Sequence, residues 1–266
     1  MRYRVRNQKA WDRLVAQGSQ FARTATDAEC SNPLAALDGR GWLPHTVAGL
    51  RVLCLAAGGG WQSILYASAG AQVTVVDISP GMLELDNSEA SRRNLNLRLI
   101  EGSMDDLSML EDDSFDIVHQ PVSTCYVPDI LPVYREIGRV LRPGGTYLSQ
   151  HKQPASLQIT RMNSRKLYEF GIEYYHKGPL PPVQDEAYRE EQAEEYLHRW
   201  EDLLGGLCRS GFVVEDVVEP VRADPTAPAG HYRHRGRFVA PFVRILARRR
   251  EGIVAPTSQT SSLWIP

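Results

Sequence analysis

The chain has 266 residues, 42% of them hydrophobic and 23% charged, with a formal net charge of -2 at neutral pH. That length suits one large domain with embellishments, or one domain plus a small cap, and leaves room for a sizeable core. The charge balance argues against a broad basic footprint for nucleic acid, and the absence of a long apolar run argues against a membrane span.

Residues 1 to about 48 read as a helical approach segment. Trp11, Leu14 and Val15 recur at helical spacing, Phe21 follows, and Ser31-Asn32-Pro33 is turn chemistry. The first twenty residues are charged throughout and lack the apolar stretch of a secretory signal. From Leu50 to Gln150, strand and helix patterns alternate, as in a parallel sheet covered on both faces. "RVLCLA" and "QVTVVD" are the first two strands, with "WQSILYASAG" a helix between them. Ser79 caps the next helix and Pro80 takes its first position. "LRLIEG", "SFDIVHQ" and "TYLSQH" follow as strands three to five. Before the fifth, Ile130, Val133, Ile137, Val140 and Leu141 share one helical face that Pro143-Gly144-Gly145 ends. Residues 152–184 break this rhythm with an aromatic, Gly- and Pro-rich insert. A charged helix over about 186–209 comes next, then two strand runs, "FVVEDVVEP" and "RFVAPFVRILARR". The polar tail has Trp264 as its anchor. The domain reading is thus 1–48 helical segment or lid, 49–151 cofactor-binding core, 152–200 substrate cover, 201–250 end of the core and 251–266 tail.

Four widely spaced cysteines without a C-x-x-C pair read as reduced thiols in a cytoplasmic protein. His231 and His234 form an H-x-x-H pair in an arginine-rich loop without further ligands, so no metal site is expected.

The stretch "AAGGGWQS" after strand one is the first sign of a ligand. Glycine in a strand–helix turn lets the backbone approach a bound molecule, and an acid ending the next strand, Asp77, can accept from two ribose hydroxyls. Gly58, Gly60 and Asp77 therefore suggest a nucleoside at the carboxyl edge of the sheet, although a plain turn with a helix-capping Asp reads equally well. Dinucleotides favour a third glycine, where this chain has Ser63, so a cofactor without a pyrophosphate fits better.

Taken together, "VLCLAAGGG", "VTVVDISPGML", "LIEGSMDDL", "DDSFDIVHQ" and "VYREIGRVLRPGGTYL" resemble the class I S-adenosylmethionine-dependent methyltransferases, and within them the small-molecule branch that includes quinone-biosynthesis enzymes. The resemblance implies an α/β fold: a doubly wound, seven-stranded, mostly parallel sheet with the last strand antiparallel. It implies S-adenosylmethionine as cofactor and a small-molecule acceptor, with no nucleic-acid or membrane partner, and leaves the oligomeric state open. Ala56, Ala57, Gly58 and Gly60 match the loop around the methionine part of the cofactor, and Asp77 the ribose acid. Ile78 and Met82 match its apolar neighbours. Ser103 stands where the family usually has an adenine-contacting Asp, with Met104 offering its backbone N–H and Asp105 the nearest substitute acid. His119, Gln120 and Pro121 would line the space beside the sulfonium. Cys54 and Ala56 depart from the family's acid and first glycine.

Methyl transfer from a sulfonium mainly requires in-line positioning and exclusion of water, with a base only for some acceptors. His119 and His151 end neighbouring strands, so either could serve as that base, or each could be a hydrogen-bonded wall residue. Tyr126 is a pocket candidate or a packing residue. Tyr168, Phe170, Tyr174, Tyr175 and His176 of the insert are expected to cover an apolar or aromatic acceptor, or else to form a small accessory core. Two rivals stand beside the enzyme reading: a non-catalytic protein that binds S-adenosylmethionine or S-adenosylhomocysteine, and a nicotinamide-dependent oxidoreductase.

Overall fold

The computed structural model describes residues 2–190 and 192–251; the tail beyond Glu251, with Trp264, lies outside the described residues. The N-terminal segment folds as α1 (Arg2–Ala16) and two short helices, α2 (Asp27–Ser31) and α3 (Pro33–Leu37). Then come β1 (Arg51–Leu55), α4 (Gln62–Ser68), β2 (Gln72–Asp77), α5 (Pro80–Arg93), β3 (Leu97–Glu101), β4 (Phe115–Gln120), α6 (Leu131–Val140) and β5 (Leu141–Lys152). A separate two-stranded hairpin, β6 (Ile159–Met162) and β7 (Tyr168–Phe170), precedes the final strands β8 (Phe212–Val218) and β9 (Phe242–Arg249).

Local chemistry sets these boundaries. Ser79 Oγ accepts from Met82 N at 3.1 Å at the start of α5, and Asn94 ends that helix in the left-handed conformation at φ 54°. On α6, Val133, Ile137 and Val140 lie on one buried face, and Tyr134 packs edge-on against Tyr147 of β5.

The main sheet has the order β3-β2-β1-β4-β5-β9-β8. β1 to β5 pair in parallel, and β9, the last strand in sequence, lies antiparallel between β5 and β8. Alternation along β1 serves two cores: Leu53 and Leu55 join Val118 and Tyr147 on the α6 side, while Val52 and Cys54 join Val75 and Leu148 on the other. The carboxyl ends of β1, β2, β4 and β5 meet at one edge, where the order reverses between β1 and β4.

Two elements differ from the sequence pattern. The helix expected from about residue 186 begins only at Glu201. Upstream of it the backbone bonds to other elements, with Tyr196 N on Cys125 O at 2.7 Å and Leu180 N on Glu195 O at 2.7 Å, so no helical ladder forms. The final strand is shorter than "RFVAPFVRILARR", because Arg237 and Phe238 close the turn after a short helix at Tyr232–Arg235.

Candidate active site

The loop after β1 is shaped by two carboxylates. Ala56 adopts φ 48°, and Gly59 and Gly60 adopt φ 110° and 73°. Gly58 N donates to Asp77 Oδ2 and Ser79 N to Asp77 Oδ1, both at 2.9 Å. Gly58 has no room for a side chain, since a Cβ there would lie 2.7 Å from Met82 Cβ and 3.0 Å from Asp77 Oδ2. Burial raises the Asp77 pKa, opposed by the backbone N–H groups of Ser79, Gly58 and Ile78.

The second carboxylate is Asp86 of α5, which sequence reasoning missed. Gly59 N and Gly60 N donate to it at 2.8 and 3.1 Å, and the Ser63 hydroxyl donates to it as well. Burial pushes its pKa up to about 7, against the pull of those donors. The backbone N–H groups that would meet a pyrophosphate are therefore already taken by an acid, with Ser63 supporting it at the third-glycine position. This geometry disfavours a dinucleotide.

The loop opens into a cavity of about 720 Å³, within the usual ~300–1,000 Å³ range of small-molecule sites. Among the residues singled out from sequence, Ala56, Ala57, Gly58, Asp77, Ile78 and Met82 line it at the loop end. Ser103, Met104, His119, Pro121 and Tyr126 line it further along. Gly60, Asp105, Gln120 and His151 stand behind that wall. Gly60 packs against Thr24 and Glu89. Asp105 accepts from the Ser103 and Tyr3 hydroxyls and from Arg4 at 2.8 Å; these bonds hold its pKa low despite burial, which raises it. Gln120 is fully buried, accepting from the Tyr147 hydroxyl at 2.6 Å and donating to Ser123 Oγ at 2.9 Å.

The two histidines are separated by strand parity. His119 on β4 pairs with Leu148 on β5, and His151 lies three residues beyond Leu148, so it points to the opposite face. His151 has Nδ1 2.8 Å from Thr124 Oγ1 and Nε2 2.8 Å from Ser149 Oγ, and burial pushes its pKa down to about 3. With both nitrogens occupied in the wall, it is not placed to act as a base in this cavity.

His119 Nδ1 is 2.9 Å from the hydroxyl of the fully buried Tyr66, which makes no other hydrogen bond among the described residues. A buried phenol proton needs an acceptor, so the bonding balance assigns Tyr66 as donor to Nδ1 and leaves the proton on Nε2. Burial, and then the charge of Arg244, lower the His119 pKa to about 4. The ring is neutral near pH 7 and offers the cavity a donor. Tyr126 is packed edge-on against Trp11 at 5.7 Å, with Lys152 Nζ 5.9 Å from its ring centre. Burial, and then Glu190, keep its hydroxyl protonated.

The roof comes from the N-terminal segment, with Tyr3, Asn7, Trp11, Phe21, Leu37 and Trp42 all lining the cavity. The aromatic insert does not. None of Tyr168, Phe170, Tyr174, Tyr175 and His176 borders the cavity, and Tyr175 is 71% exposed against Tyr174 and Arg199. Instead, Ile172 and Leu180 form a small satellite core with Leu157 and Leu197, and among the described residues of 152–200 only Glu190 reaches the cavity. Gln62, Arg222 and Arg244 were also missed. Gln62 follows the glycine loop and sits four residues before Tyr66, a helical spacing that marks the same face. Among the described residues, no cluster of three His, Cys, Asp or Glu side chains could hold a metal ion, and no helix is long and apolar enough to cross a membrane.

A sheet with its last strand antiparallel, a glycine loop anchored on acids, and a carboxylate ending the second strand define the class I S-adenosylmethionine-dependent methyltransferases, and the chain belongs to that family. Residues 53–149 match the family model described as a methyltransferase domain. The chain is 34% identical over 229 residues to the uncharacterized methyltransferase YbaJ of Bacillus subtilis (strain 168), covering 80% of this chain and 89% of that protein. It is 33% identical over 113 residues to the ubiquinone biosynthesis O-methyltransferase of Xanthomonas campestris pv. campestris (strain B100), covering 42% of this chain and 47% of that enzyme. Its fold is similar to the crystal structure of an S-adenosylmethionine-dependent methyltransferase from Mesorhizobium loti, with a TM-score of 0.66 and 25% identity across 83% of this chain and 100% of that one.

Proposed function

We propose that this methyltransferase acts on a small molecule held in the roofed cavity, with the cofactor at the Asp77 end and the acceptor beside His119. The observation that carries this reading is the continuity of the cavity: Asp77, Met104, His119 and Tyr126 all border one space, with Tyr3, Asn7 and Trp11 of α1. A macromolecular side chain would have to enter beneath that roof.

The residues present suit the cofactor. Gln62 is 7% exposed and its Oε1 has no hydrogen-bond partner among the described residues, yet it lines the cavity next to the loop. An orphaned buried acceptor there matches the ammonium of a methionine moiety. Asp77 would accept from the ribose hydroxyls, Ile78 and Met82 would pack against the adenosine, and Met104 N would reach its edge. The departures from the family pattern are absorbed: Cys54 is fully buried away from the cavity, Ala56 takes a glycine-like backbone, and Ser103 is braced by Asp105.

Bound S-adenosylmethionine supplies an electrophilic methyl group on a positively charged sulfur. The chain has to exclude water and align the acceptor, which α1, Trp11 and the neutral His119 donor would do. His119 Nε2–H suits an orienting role toward an acceptor oxygen better than proton abstraction. The four free cysteines, widely spaced, support a reducing, cytoplasmic setting.

Calorimetry tests the reading. S-adenosylmethionine and S-adenosylhomocysteine should both bind and NAD should not. Asp77→Ala should weaken binding by roughly 10- to 100-fold, the worth of one or two charge-assisted hydrogen bonds. Failure of the wild-type chain to bind either sulfur compound would remove the proposal.

A further inference from the structure

Five arginines line the cavity, and three of them are neutralised: Arg4 by Asp105 at 2.8 Å, Arg23 by Glu29 at 2.7 Å and Arg40 by Asp216 at 3.4 Å. Arg244 and Arg222 are the exceptions, each lacking a carboxylate within 4.0 Å among the described residues. Arg244 spends its Nε on Gln150 Oε1 at 2.7 Å, and neither of its Nη groups has a protein acceptor among the described residues. Asp38 is the acid whose field reaches Arg244, but its own oxygens accept from Arg40 N at 3.0 Å and Leu43 N at 2.5 Å. Burial, and then the like charge of Arg222, hold the Arg244 guanidinium below its ordinary range. A half-buried cation facing a second cation across a ligand cavity is unfavourable until an anion arrives.

We propose that Arg244 and Arg222 form an oxyanion subsite for the acceptor, which is an apolar or aromatic small molecule carrying a carboxylate or phosphate group. This rests on the methyltransferase reading of the cavity. Register places the subsite on the reacting side of the sheet. Gln150 pairs with Arg244 and lies two residues from Leu148, which pairs with His119, so all four share one face. Sheet order also separates it from the cofactor. Arg244 stands three strands from the glycine loop, about 14 Å at the usual strand spacing, and two strands, about 10 Å, from His119. An acceptor reaching from the His119 donor to the Arg244 fork therefore has the span of a substituted ring, with Phe242 and Trp42 as apolar walls. The planar guanidinium suits two-point recognition of an oxyanion.

The test uses the protein saturated with S-adenosylhomocysteine, titrated calorimetrically with benzoate, phenyl phosphate and the neutral analogue benzamide. At least one anion should bind, more weakly at high salt, and at least tenfold better than benzamide. Arg244→Gln and the surface variant Arg222→Gln should each lower that affinity at least fivefold while leaving the affinity for S-adenosylhomocysteine within twofold. The subsite is rejected if neither anion binds, if benzamide binds as well, or if both variants bind the anion like the wild type. Loss of S-adenosylhomocysteine affinity in Arg244→Gln also overturns it, because the arginine would then serve the cofactor's own carboxylate. If the wild-type chain bound no S-adenosylhomocysteine at all, the methyltransferase reading itself would fall, a separate outcome seen before any anion is added.

Discussion

Ala56 occupies a position where backbone geometry asks for glycine. Its φ of 48° is left-handed, which costs a residue with a Cβ about 1–2 kcal/mol, while glycine loses roughly 0.5–1 kcal/mol in the unfolded chain. Ala56→Gly should therefore stabilise the protein by about 0.5–1 kcal/mol, read as a higher urea midpoint with an unchanged slope; a lower midpoint would show that the alanine methyl packs usefully. The same loop shows where sequence reading reaches its limit. Asp77 was legible because it ends a strand beside a glycine turn. Asp86 was not, because an acid in the second turn of a helix carries no local mark, and its role appears only when α5 lies across Gly59, Gly60 and Ser63. His119 and His151 looked equivalent as strand-ending histidines. Pairing register, which one sequence does not reveal, sets them on opposite faces.

At the scale of elements, the strand–helix core was legible from apolar runs and turn chemistry, whereas the sequence offered two covers, the N-terminal segment and the insert, and of the two the cavity takes aromatic lining from the first. Aromatic content singled out residues 168–176, yet Phe170, Tyr174 and Tyr175 are exposed and Tyr168 packs against His234 and Phe238. The roof includes α1, whose inner face both packs, through Tyr3 and Trp11, and bonds. Asn7 donates to Tyr126 O at 2.9 Å and Glu194 O at 3.1 Å and accepts from Glu194 N at 2.7 Å, while Asp12 accepts from Ser79 Oγ at 2.5 Å. Replacing Asn7 by Ala would leave these buried groups unpaired, costing about 1–3 kcal/mol locally and loosening the roof. Affinity for S-adenosylhomocysteine should fall by roughly tenfold in Asn7→Ala. In the double variant Tyr174→Ala/Tyr175→Ala it should stay within twofold. The reverse pattern would return the cover to the insert.

Over the whole molecule, the buried histidines link stability to pH. His119 and His151 have pKa values of about 4 and 3 in the folded chain, against 6.5 when unfolded, and burial lowers His198 too. Between pH 6.5 and 4 the unfolded chain binds protons at these rings that the folded chain does not, so their contribution is complete above 6.5 and is lost as pH falls. Asp86 works in the opposite sense. Its folded pKa of about 7 lies above the ordinary 3.8 of an unfolded aspartate, so its contribution is complete below the lower value and is lost as pH rises through 7. Burial raises Asp77 and Glu190 as well, so both act in the same sense as Asp86. His151 can be isolated from the others, because glutamine can still bond to Thr124 and Ser149 without taking up a proton. Denaturant unfolding from pH 4.5 to 7.5 should show His151→Gln less stable than the wild type near neutrality. The gap should close toward acid by about 1.4 kcal/mol per pH unit, the value of one proton. Parallel stability curves for the two proteins would mean that His151 takes up its proton at the same pH in the folded and unfolded chains, with no cost of burial.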